Sequence, residues 1–217
     1  MMYQYLDKLL AETKKKIRRE FNRIGTMGFD RLNVINGGKI TTGVFQRLLA
    51  ENEAVYLKAA KKSYKDGKEK AKAAGFTGED EDIEINSGWV ESILLAYNLV
   101  TGYLYKREAD RKRLRLNEQI LTAREYGSER MLLETLRRSA NLWWTQTNQY
   151  GITVVDEAWL QAYKVAGVKK VRWVAELDSK TCEICKKRNN QIYEIKNIPP
   201  KTHYNCRCWL EPVEVEE

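Results

Sequence analysis

The chain contains a single histidine, His203, in 217 residues. Ser-His and Cys-His nucleophile systems need an imidazole as base, and a histidine-type metal nuclease needs one beyond any structural ligand set. The one imidazole here lies inside a cysteine cluster, so no enzymatic activity is expected. Only carboxylate chemistry is left open, with Asp178 and Glu183 near that cluster, and Asp178 reads first as a turn former. Long apolar runs are also lacking. The best candidate, residues 93–104, falls short of the ~18 apolar residues a membrane helix needs and is interrupted by Asn98 and Gly102. The first residues, MMYQYLDKLLAETKKK, show no apolar signal-peptide core and no small-residue cleavage site. A cytoplasmic protein is therefore expected, in which disulfides are rare. Internal repeats and low-complexity linkers are missing as well.

The apolar fraction, 43%, is sufficient for a real core. The formal net charge is +8, which permits contact with nucleic acid or an acidic protein surface without establishing either. Most basic residues alternate with acids. The densest run, KREADRKRLR at 106–115, reads as a solvated helix face.

Up to about residue 166 the pattern is helical. Leu6, Leu10, Thr13, Ile17, Phe21 and Ile24 recur at three and four, one stripe of an amphipathic helix that Gly25 and Gly28 end. A Gly/Asn loop with Asn36, Gly37 and Gly38 should follow. A second helix is expected from Thr41 or Thr42 to about Ala74, with Gly75 as its stop. Residues 78–88 read as an acidic loop, with Ser87 capping a third helix that continues to Gly127. Ser128 should cap a fourth, closed by Gly151, and a fifth should span 153–166 with Gly167 at its C-terminal stop. After Gly167 the signal turns to short strands near 168–177, 191–195 and 206–215. The expected fold is mainly α: an elongated helical body over 1–150, then a small α+β module over 151–217 stapled by a Cys/His metal site.

All four cysteines and the histidine fall between residues 182 and 208, in the order C-x2-C-x17-H-x2-C-x-C. Cys182, Cys185, His203, Cys206 and Cys208 are thus five candidates for one four-coordinate ion. Zinc suits sulfur and imidazole donors, and a site with four protein ligands is structural. A module of this size has little core of its own and gains from such a staple. Two sets fit the spacing. If Cys206 and Cys208 lie on a strand, both face one side and can join Cys182 and Cys185, with His203 behind them. If a turn intervenes, His203 and Cys206 mirror the first pair and Cys208 packs nearby. The spacing leaves both open, with a preference for Cys182, Cys185, His203 and Cys206. A redox role is not expected, because no thioredoxin-like context surrounds the C-x-x-C.

The window as a whole, RWVAELDSKTCEIC, NNQIYEI and PPKTHYNCRC, resembles the C-terminal signature of the phage head morphogenesis family, the SPP1 gp7-like and Mu F-like minor head proteins. The matching features are Trp173, Asp178 and Thr181 ahead of the C-x2-C, then His203, Cys206, Arg207 and Cys208. Asn190 stands where a turn glycine is usual and can itself take positive φ; Tyr204 replaces the proline after the histidine. The likeness covers about 150–212. It implies a virion head protein, present in the host cytoplasm during assembly. Its implied partners are the portal and other head proteins, with DNA possible and no membrane, and it is linked to DNA packaging or ejection. A zinc-stapled DNA-binding protein is the alternative, weakened by the lack of a recognition helix near Lys186, Lys187, Arg188, Lys201 and Arg207.

Overall fold

The computed structural model describes residues 2–78, 83–101, 105–179, 181–201 and 203–214. Among these are six helices and one three-stranded sheet: α1 Gln4–Gly25, α2 Val34–Ala73, α3 Ser87–Thr101, α4 Tyr105–Glu125, α5 Glu129–Val165, β1 Lys170–Val174, α6 Glu183–Arg188, β2 Ile192–Glu194 and β3 Trp209–Val213. The chain is mainly helical with a small antiparallel sheet near its C-terminal end, as expected from the change of pattern after Gly167. Among the described residues no helix is long and apolar enough to cross a membrane.

Two compact units make up the chain. One comprises 1–7, 56–90 and 151–217; the other comprises 8–55 and 91–150. The second unit is a helical core. Ile17, Phe21 and Ile24 of the α1 stripe are buried there with Val44, Phe45, Leu48, Leu116, Ile120, Leu132, Leu136 and Trp143. Phe45 meets Trp143 edge to face at 5.0 Å. Trp144, adjacent in sequence, is only partly buried against this core and carries Lys14 Nζ 5.0 Å over its ring. Successive helix positions point about 100° apart, so two neighbouring tryptophans cannot share one interior.

The first unit holds the sheet, in the order β2-β1-β3 with both pairs antiparallel. Val171 and Trp173 of β1 are buried, while Lys170 and Arg172 are exposed, the period of two that a half-buried strand requires. Trp173 stands opposite Leu210 on β3, and Val171 opposite Tyr193 on β2.

Several helix boundaries differ from the sequence expectation. α2 begins at Val34, not near Thr41, because Asn33 caps it: its Oδ1 accepts the Asn36 N–H at 2.9 Å. Gly37 and Gly38 therefore lie inside a helix, and Thr41, buried, gives its hydroxyl to Gly37 O at 2.9 Å. Gly151 does not end a helix either. α5 runs on to Val165, and a Cβ at 151 would stand 3.0 Å from Leu6 Cδ1, so this glycine allows close packing. The cap of α3 is Asn86, whose Oδ1 accepts the Trp89 N–H at 2.9 Å. The single helix expected from 89 to 127 has helical parts in α3 and α4; residues 102–104 lie outside the described residues. The stops at Gly75, Gly127 and Gly167 are as expected, all at positive φ. Ser128 Oγ accepts the Met131 N–H, as a cap should.

Candidate metal centre

The site grows from β1. Trp173 on its buried face shares one cluster with Ala175, Cys185, Cys206 and Cys208, with Cys182, Tyr193, Ile198 and Leu210 packed against them. Arg188 covers the indole from outside, its guanidinium carbon 5.1 Å from the ring centre. The turn from α6 to β2 is closed by backbone bonds across to Trp173, Asn190 N to its carbonyl at 2.8 Å and its N–H to Gln191 O at 2.9 Å. Asn190 holds φ 64°, which that turn requires and which Asn tolerates.

Cys182 and Cys185 enter on α6, a helix the sequence reading missed. Six residues ending in KKR offer no apolar period to detect. Cys182 is its N-cap, and its sulfur accepts the Cys185 N–H at 3.4 Å. Ahead of it, Thr181 Oγ1 receives the Asp178 N–H and lies 3.0 Å from Asp178 Oδ1, so Asp178 is tied into the turn before the ligands. His203 to Asn205 form a second turn, with Asn205 at φ 59°. Cys206 and Cys208 follow it, before β3 begins, and both are buried.

Two overlapping groups of donors result. Cys182, Cys185 and His203 have ligand atoms within 4.8 Å of one another, as do Cys185, Cys206 and Cys208. Cys185 belongs to both and is the centre of the arrangement. All five residues picked out by spacing are thus brought together around its sulfur. Cys185 Sγ is 3.6 Å from His203 Nε2 and 3.6 Å from Cys206 Sγ. Around a tetrahedral zinc with bonds of about 2.3 Å to sulfur and about 2.0–2.1 Å to nitrogen, S···S would be about 3.8 Å and S···N about 3.6 Å. His203 Nδ1 lies 3.0 Å from the Tyr204 carbonyl, which can only accept, so Nδ1 carries the proton and Nε2 keeps its lone pair toward Cys185. That backbone anchor is the usual second contact of a metal-binding histidine. These groups could hold a metal ion.

The thiols are not equivalent. The backbone N–H of Cys185 holds the Cys182 thiol below its ordinary pKa. Burial pushes Cys185 up to about 12. The hydrogen bond from the Cys208 thiol brings Cys206 down to about 5, and the same bond, with burial, pushes Cys208 up. His203 is raised, chiefly by its bond to the Tyr204 carbonyl. Nucleophilic thiolate character therefore concentrates on Cys182 and Cys206.

Basic residues around the site are largely engaged within the unit. Lys186 pairs with Glu183, Arg188 donates to Pro200 O, Lys201 pairs with Asp156 and Arg207 with Asp7. On α4 the basic run is likewise interleaved: Lys106 with Glu91, Arg111 and Lys112 with Glu108, Arg113 with Asp110.

Residues 106–211, which include all five cluster residues, match the family described as Phage Mu protein F like protein. No curated protein and no solved structure matches the chain.

Proposed function

We propose that this chain is a phage minor head protein of the Mu F-like kind, acting in capsid assembly in association with the portal and linked to DNA packaging or ejection. The observation that carries the reading is the family match across 106–211, which takes in β1, β2, all five cluster residues and the first part of β3. The structural role follows from the site: four protein ligands leave no open position for a substrate or an activated water, so the ion would stabilise the fold and perform no turnover. The ion is zinc. Cys182, Cys185, His203 and Cys206 are assigned as its ligands, supported by the two 3.6 Å separations at Cys185, and Cys208 supports Cys206 through its thiol. A structural zinc contributes on the order of 10 kcal/mol to folding at neutral pH.

DNA binding through this region is the weaker reading, because Lys186, Arg188, Lys201 and Arg207 have carboxylate or carbonyl partners inside the unit. The test is co-expression with the portal protein of the same phage, with zinc measured on the purified sample. Co-purification with the portal ring and about one zinc per chain is expected. A portal ring purified free of this chain would overturn the assembly role. Cys208→Ser losing zinc while His203→Ala keeps it would replace the ligand set by the four cysteines.

A further inference from the structure

Cys206, Arg207 and Cys208 are held from behind by groups far away in sequence. Lys201 Nζ donates to Cys206 O at 3.3 Å, to Tyr3 Oη at 2.6 Å and to Asp156 Oδ2 at 2.6 Å. An ammonium has three N–H donors, and each finds an acceptor here. Tyr3 Oη lies 2.6 Å from Asp156 Oδ1 and 2.9 Å from Cys208 O. Arg207 stacks its guanidinium 5.1 Å from the Tyr3 ring centre and reaches Asp7 at 2.8 Å. Tyr3 is 5% exposed, and both partners of the Lys201–Asp156 pair are mostly buried. The Tyr3 hydroxyl offers a single proton, with both Asp156 Oδ1 and the Cys208 carbonyl in reach of it.

The carbonyls of two residues of the metal cluster are thus fixed by a tyrosine on the approach to α1, a carboxylate on α5 and the lysine that ties them. Neither carbonyl is satisfied this way unless the segment 206–208 holds the path it takes into the site. We propose that Tyr3, Asp156 and Lys201 form a latch that couples metal binding to docking of the first turn of α1, so that filling the site and seating Tyr3 are one linked event. Linkage is reciprocal: if seating Tyr3 tightens the metal site, metal loading must seat Tyr3 by the same factor. Groups of this kind behind a ligand set are worth about 10–100-fold in metal affinity.

The inference rests on the zinc reading above, and the test separates the two. The full-length, reduced chain and its Tyr3→Phe and Asp156→Asn variants are titrated with zinc against a chromophoric competitor. Hydrogen exchange is then followed on a peptide covering Tyr3 to Asp7, with and without chelator. Tyr3→Phe removes one hydroxyl and keeps the ring under Arg207, so it tests the latch with the least risk to folding. Expected are about 10-fold weaker zinc binding in both variants and loss of protection at residues 3–7 when the wild-type chain is stripped of metal. A wild-type chain that takes up no zinc overturns both ideas. Zinc uptake by the wild type, with unchanged affinity in a normally helical Tyr3→Phe chain or equal protection with and without metal, overturns the latch alone.

Discussion

Two glycines in α2 should respond to alanine with opposite signs. A helix-interior Gly→Ala change gains about 0.8–1.0 kcal/mol of propensity. At Gly38 nothing stands within 4 Å of an added Cβ, so Gly38→Ala should realise most of that gain. At Gly67 the added Cβ would be 2.7 Å from Ala162 Cβ and 3.5 Å from the Trp159 backbone on α5. Carbon atoms pack best at about 3.5–4.0 Å, so the first contact is short by about 1 Å. Neither partner is the tip of a flexible chain; α2 would have to back away from α5. Overpacking of this kind costs about 1–3 kcal/mol. Against the propensity gain, Gly67→Ala should destabilise by about 1 kcal/mol. The assay is urea unfolding followed by far-ultraviolet circular dichroism at saturating zinc, with the slopes checked for equality. Ala162→Gly in the Gly67→Ala background removes the opposing Cβ and should recover at least 1 kcal/mol of coupling in a double-mutant cycle. Equal stabilisation by both alanines, or no coupling to Ala162, would refute the close approach of these two helices.

Three further outcomes follow from the site and its surroundings. In the metal-free, reduced chain iodoacetamide should modify Cys182 well before Cys185 or Cys208, since Cys182 alone of the three is part-exposed with a lowered pKa; peptide mass spectrometry reads the order, and zinc should suppress it. The Glu157 carboxyl is raised by burial and by Asp156, so the folded chain binds its proton more tightly than the unfolded chain does. Its stabilising share is full below the unfolded pKa and is lost as pH rises through the folded one. Glu157→Gln should therefore resist urea better than wild type at pH 7, and the gap should close below about pH 4. Asn190→Val should destabilise by about 1–2 kcal/mol in thermal melts, because φ 64° is costly for a β-branched side chain, whereas Asn190→Gly should be near neutral.

The residues and their order were enough to locate the cluster of candidate metal donors, because such a cluster needs particular donor atoms and these are rare in this chain. Five soft or imidazole donors within 27 positions can be recognised without coordinates. Helical periodicity and the glycine stops at 75, 127 and 167 were legible for a similar reason: each is a local requirement of backbone or burial. What failed locally failed where tertiary packing changed a residue's use. Gly151 reads as a terminator but serves contact with Leu6, and Gly37 and Gly38 read as loop but follow the Asn33 cap into α2.

Only the folded chain decided which distant residues complete the site. Cys185 lies at the centre of both donor groups, and no spacing rule singles it out. Tyr3 reaches the Cys208 carbonyl across 205 positions of sequence, and Asp156 pairs with the Lys201 that donates to the Cys206 carbonyl, distances over which side-chain periodicity carries no information. Donor identity is written in the residue, but which backbone carbonyl a buried hydroxyl or ammonium meets depends on how helices and sheet pack. That is a property of the assembled unit.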